Sequence, residues 1–174
     1  MGAGDFDLTM NELRAVVRFA ADCAQELLPE FESVAPNDPR PRDAIDAARR
    51  FVDGAPRSNL QRTAAFASHR AAKDVSDEAA QLASLACGDA AAAAYLHPIA
   101  KASQVGHILR AAACAARVSE LRTGTPDGNK LHDLADRATP PLPEILRRYP
   151  VAPSGSSRVA QLMSALDSTI RDRN

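Results

Sequence analysis

The chain has 174 residues, the length of one ordinary domain, and a core of that size needs neither disulfides nor a metal. Its 21 lysines and arginines stand against 22 aspartates and glutamates, a formal net charge of −1. That balance argues against broad electrostatic attachment to nucleic acid or membranes, though a local basic patch stays open. Alanine makes up roughly a fifth of the residues and aromatics only 4%, so the expected core is built from helices with small side chains that approach closely.

The opening MGAGDFDLTMNEL lacks a basic segment followed by an apolar run, so no signal peptide is expected. Asn11 is placed to cap a first helix, whose apolar positions Leu13, Val16, Val17, Ala20, Ala24, Leu27, Leu28 and Phe31 recur at helical spacing. Pro29 is expected to bend it or end it. The charged loop NDPRPRDAI, residues 37–45, leads into a short helix marked by Ala44, Ile45, Ala48 and Phe51, which stops at Gly54 and Pro56. Ser58 or Asn59 caps a third helix with Leu60, Ala64, Ala67 and Ala71 along one side. Ser76 opens a fourth, with Asp77 and Glu78 in its positive first turn.

From Ala79 to Leu96 this fourth segment is apolar nearly all round, the pattern of a helix at the centre of a bundle. The most apolar stretch, Leu82 to Ile99, is interrupted by Gly88, Asp89, His97 and Pro98, so a transmembrane span is not expected. Pro98 separates it from a fifth helix through Val105, Ile108, Leu109, Ala112, Ala116 and Leu121, closed by the turn GTPDGN at residues 124–129. A sixth runs from about Leu131 to Tyr149, broken or kinked at Pro140, Pro141 and Pro143. After VAPSGSS, Ser156 or Ser157 opens a last helix with Val159, Leu162, Met163, Leu166 and Ile170. No stretch alternates with period two long enough for a strand. The expectation is all-α: one domain over residues 1–174, a bundle of six to eight helices around an alanine-rich central helix, with residues 1–9 as a flexible tail.

Residues that could carry chemistry are scarce. Cys23, Cys87 and Cys114 are odd in number and lie in apolar helical stretches, which predicts buried free thiols in a reducing cytosol. No HExxH, paired cysteines, Gly-rich phosphate loop, GxGxxG or GxSxG is present, so neither a metal nor a cofactor is expected and no residue is assigned as catalytic. An acid/base role for His97 or His107 would need one of them exposed in a cleft beside a perturbed carboxylate. Asp22 and Asp89 stand among small apolar residues, where a carboxylate is costly to bury unless arginines or several donors meet it. Arg40 and Arg42 have the reach, and Arg49 and Arg50 follow one turn on. Two readings result: an internal ion-pair network pinning the 36–42 loop, or the floor of a binding cleft. Arg42 is expected inward and Arg40 outward. The candidate binding residues are Asp22, Asp38, Arg40, Arg42, Asp89, Tyr95, His97 and His107.

The strings NELRAVVRFAADCAQELLPEFE, PNDPRPRDAIDAARRFV and AAFASHRAAK, the alanine-rich CGDAAAAAYLHPIAKASQVGHIL and the tail LRRYPVAPSGSSRVAQLMSALD together resemble the Imm-5-like family of bacterial immunity proteins. The resemblance spans residues 8 to 171, and DPRPR before an alanine-rich helix is its most specific part. It implies a cytoplasmic helical protein that protects its producer by binding and neutralising a cognate toxin of a polymorphic-toxin system. Such a role rests on a complementary surface and needs no catalysis. The implied partner is a protein toxin, with neither nucleic acid nor membrane involved. The residues leave a second function open: small-molecule binding or self-resistance, through a pocket between the central helices lined by Asp22, Arg42, Asp89, Tyr95 and His97. Monomer and homodimer stay equally open.

Overall fold

Short-range chemistry sets where each helix begins. Thr9, rather than Asn11, caps α1 (Met10–Gln25): its hydroxyl accepts the Glu12 N–H while the Glu12 carboxylate accepts the Thr9 N–H at 2.9 Å. Helices α2 (Leu28–Val34) and α3 (Arg40–Val52) each carry a proline in the first turn, Pro29 and Pro41, where a missing N–H costs nothing. Ser58 and Gln61 form a second reciprocal cap at α4 (Asn59–Ala71). Asp77, not Ser76, caps α5 (Glu78–Ala92) by accepting the Ala80 N–H at 2.9 Å. Helix α6 (Val105–Thr123) ends at Gly124, whose φ of 75° is the left-handed conformation a glycine adopts without penalty. Asp127 caps α7 (Gly128–Asp136), Pro143 lies in the first turn of α8 (Leu142–Arg147), and Ser157 caps α9 (Arg158–Arg171).

The computed structural model describes residues 5–173 and is 72% helix, with nine α-helices in a bundle and no strand among the described residues. The all-α expectation holds. The helices outnumber the expected six to eight because prolines divide two segments, separating α1 from α2 near Pro29 and α7 from α8 around Pro140–Pro143.

Helix α5 lies at the centre and touches α1, α2, α3, α4 and α6. Its Ala79, Ala80, Ala83, Ala86, Ala90 and Ala91 are buried, and each methyl taken from water adds about 0.8 kcal/mol. Small side chains also set the spacing. A Cβ at Gly88 would fall 2.4 Å from the His69 ring and 3.0 Å from the Ala65 carbonyl oxygen, so α4 and α5 come this close because residue 88 has no side chain. Cys23, Cys87 and Cys114 are free and buried. Burial pushes the Cys23 and Cys87 thiols up to about 12 and raises that of Cys114 as well, which makes all three poor nucleophiles.

Two buried carboxylates tie α9 down. Asp167 accepts the Ala152 N–H at 2.9 Å and Arg171 Nε at 2.7 Å, one with each oxygen. Glu120 of α6 receives both Nη2 and Nε of Arg158, at 2.5 and 2.9 Å. No described helix is long and apolar enough to cross a membrane.

Residues 1–4 of the expected flexible tail lie outside the described residues. Residues 5–9 make contacts that a free tail would lack: Asp5 bridges Ile99, the Phe6 N–H donates to the Pro98 carbonyl at 3.2 Å, and the Phe6 ring meets Tyr149 edge-on at 4.8 Å.

Candidate functional site

The eight candidate residues separate into two groups. In the first, charges are consumed locally. Arg40 opens α3 instead of lying in a loop, and its Nη2 reaches Asp38 at 2.6 Å and Asp74 at 2.7 Å. That guanidinium holds the Asp38 carboxyl below its usual range. Arg42 pairs with Glu32 at 2.7 Å, and Asp22 pairs with Arg49 at 2.7 Å. The expected orientations are reversed: the Arg42 side chain is 56% exposed and that of Arg40 32%. Arg42 lies one position past the buried Pro41, so the helical phase turns it outward. Asp22 is also not buried. Although Ala21 and Cys23 are, it shares the outer face of α1 with Arg18 and Glu26 at four-residue spacing. An Asp22–Arg42–Asp89 cluster therefore does not exist.

The second group converges. Asp89 is buried on α5 and meets His69 of α4 and Arg110 of α6, with Oδ1 3.1 Å from His69 Nε2 and 3.6 Å from Arg110 Nη1. Two glycines permit this geometry. Gly88 leaves room for the His69 ring, and Gly106 for the guanidinium of Arg110, which a Cβ there would meet at 2.3 Å. Asp89 Oδ2 is buried without a hydrogen-bond partner.

Above this trio opens a pocket of about 290 Å³. Helix α4 contributes Arg62, Ala65, Phe66 and His69, while Ala92 of α5, Tyr95 and His97 close a second wall and His107 of α6 the third. Tyr95 is fixed at both ends. Its hydroxyl donates to the Ser58 carbonyl at 2.6 Å, and the guanidiniums of Arg62 and Arg57 lie over its ring at 4.6 and 5.3 Å. The His97 carbonyl accepts the Tyr149 hydroxyl at 2.9 Å, so the segment after α5 is anchored as well. Burial lowers the pKa of His107, opposed by the charge of Asp89 and reinforced by Arg110, His97 and His69, which favours a neutral imidazole.

The pocket thus offers apolar wall, three imidazoles and one guanidinium without a carboxylate partner among the described residues. It has no serine, threonine or cysteine in its lining to act as nucleophile. Among the described residues no group of histidine, cysteine and carboxylate side chains could hold a metal ion. The pocket can bind a ligand through hydrogen bonds from Arg62 and the histidines and contact with Phe66.

Of the five residues expected to line one pocket, Tyr95 and His97 lie in this lining, Asp89 is in contact with its His69, and Asp22 and Arg42 are paired elsewhere. His107 joins the lining, and Arg62, Phe66, His69 and Arg110 were not among the candidates. A signal was available. Arg62, Ala65, Phe66 and His69 stand three and four apart, one stripe of a helix, and Arg110 follows His107 by three.

A family model described as "Imm-5 like putative immunity protein" matches residues 7–133, which contain α1 to α6, the first part of α7 and the entire pocket. No curated protein and no solved structure matches the chain.

Proposed function

We propose, from the premise that the chain belongs to the Imm-5-like family of immunity proteins, that it binds a cognate protein toxin in the cytoplasm of its bacterial producer and neutralises it without catalysis. The observation that carries this reading is the family match over residues 7–133. A pocket lining without serine, threonine or cysteine agrees with it, since neutralisation by occlusion needs a complementary surface alone. The test is co-expression with the toxin encoded beside it. Survival of the host and co-elution of the two proteins are expected. A host that dies, with no complex on size exclusion, would overturn the reading.

A second reading, self-resistance by sequestering a small molecule, is favoured by one observation: a half-open pocket of about 290 Å³ whose His69 contacts Asp89, a buried carboxylate with one oxygen unpartnered. A molecule carried through purification and released on denaturation, identified by mass spectrometry, would support it. Protein that releases nothing and binds no component of a cell extract's small-molecule fraction would remove it.

A further inference from the structure

We infer that the pocket between α4 and α5 is where the toxin inserts an aspartate or glutamate side chain, with an apolar residue beside it packed on Phe66. This rests on the toxin-binding reading and adds which face docks and what chemistry it recognises.

Charge bookkeeping across the fold leads here. Arg40, Arg42, Arg49, Arg117, Arg122, Arg137, Arg148, Arg158 and Arg171 all have carboxylate partners. Arg62 and Arg70 of α4 have none among the described residues, and α4 contains no aspartate or glutamate. Arg14, Arg18, Arg50, Arg57 and Arg147 also lack a carboxylate partner among the described residues, but α4 is the one described α-helix that carries basic residues and no acidic one. Asp89 is outside the pocket lining, behind His69, with its Oδ1 facing His69 and Arg110, so an entering carboxylate meets Arg62 and imidazole N–H groups first.

Apolar exposure coincides with that charge. Phe66 is 58% exposed at the pocket rim and Leu60, also on α4, is 43% exposed, two of the large hydrophobic residues left in solvent. An arginine and an aromatic side by side over a small cavity are the residue types that dominate protein–protein binding energies. Arg62 is also held in place before binding, stacked on a Tyr95 ring whose hydroxyl is tied to Ser58, so little side-chain entropy is lost when a carboxylate arrives. The volume accepts one or two side chains, which suits an inserted residue better than an extended polymer.

The experiment has two arms. In the first, protein with isotope-labelled histidines is titrated with the capped dipeptides acetyl-Phe-Glu-amide, acetyl-Phe-Gln-amide and acetyl-Phe-Lys-amide, and with a single-stranded oligonucleotide. The Glu peptide is expected to shift His69, His97 and His107 and to raise the titration midpoint of His107, with the Gln peptide about fivefold weaker or more. Arg62→Gln, at an exposed position, should erase that difference. Equal response to Gln or Lys peptides, no histidine response to any peptide, or a response to the oligonucleotide alone would each overturn the inference.

In the second arm the toxin's affinity is measured for the wild type, Arg62→Glu, Phe66→Ala and the control Arg18→Glu on α1. Losses of about tenfold or more are expected at residues 62 and 66 and none at 18. Wild-type affinity in Arg62→Glu and Phe66→Ala would overturn the docking site and leave the immunity reading standing. A wild type that binds no toxin would end the immunity reading, and the peptide arm still decides whether the pocket recognises a carboxylate.

Discussion

Asp167 and Asp89 are buried to nearly the same degree, 2% and 5% exposed, yet they belong to different kinds of region. Around Asp167 both oxygens are used, one by a backbone N–H and the other by an arginine, and at the start of the same helix Arg158 binds both oxygens of Glu120. Around Asp89 one oxygen is shared between His69 and Arg110, the other has nothing, and Arg62 beyond it has no acid. The start of α3 is of the Asp167 kind, since Arg40 and Arg42 are matched by Asp38, Asp74 and Glu32. The difference teaches that density of charge in a segment does not mark a site. What sets the Asp89 region apart is hydrogen-bonding capacity that folding leaves unused.

The sharpest way to break this comparison is to remove one charge from each carboxylate. In Asp167→Asn the amide nitrogen must face either the Ala152 N–H or Arg171, donor against donor, and a loss of about 2–3 kcal/mol is expected in urea unfolding. Asp89→Asn can turn its nitrogen to the empty side, so under about 1 kcal/mol is expected. Equal losses would erase the distinction.

Gly88→Ala tests whether close approach of α4 and α5 builds the pocket floor. Overpacking against His69 and the Ala65 carbonyl costs about 1–3 kcal/mol, and better helix propensity returns about 0.5–1 kcal/mol. A net loss of about 1 kcal/mol is expected, with the His69 ring resonances displaced. Unchanged His69 resonances would mean that the glycine is not what seats the ring.

Acid separates the two regions with the smallest expected effect. Hydrogen bonds from Arg158 hold the Glu120 carboxyl below its usual range, so its contribution is complete above pH ~4.5 and disappears as pH falls through the lower folded value. Burial lowers His107, so below pH ~6.5 the unfolded chain binds more protons than the folded one and stability falls with pH there too. Two descending steps are expected in unfolding free energy, one in the histidine range and one in the carboxylate range. His107→Gln should remove part of the first, below about 1 kcal/mol, and spare the second. A single carboxylate step in the wild type would contradict the picture of the pocket.

Much of the fold was legible because its causes are local. The spacing of Leu13, Val16, Val17 and Ala20 announces the inner face of α1, and the all-round apolar run after Ala79 announces the central helix. The caps were partly legible: Ser58 and Ser157 behave as read, while Thr9 and Asp77 displace Asn11 and Ser76 because each is better placed to accept an N–H three residues on. The phase of single charges was readable and misread. Asp22 sits between buried neighbours, but its four-residue partners Arg18 and Glu26 put it on the outer face.

The sequence by itself determined a chain of amphipathic helices around an alanine-rich one, because periodicity, caps and prolines act within a few residues. Only the tertiary structure decided which charges meet, because those meetings join distant positions: His69 with Asp89 across 20 residues, Arg158 with Glu120 across 38, Arg137 with Glu26 across 111. Each depends on the rotation and spacing of two packed helices, and at Gly88 the spacing turns on the absence of one methyl group. That packing leaves Arg62 without an acid and Asp89 with an empty oxygen, features that no local window of residues contains.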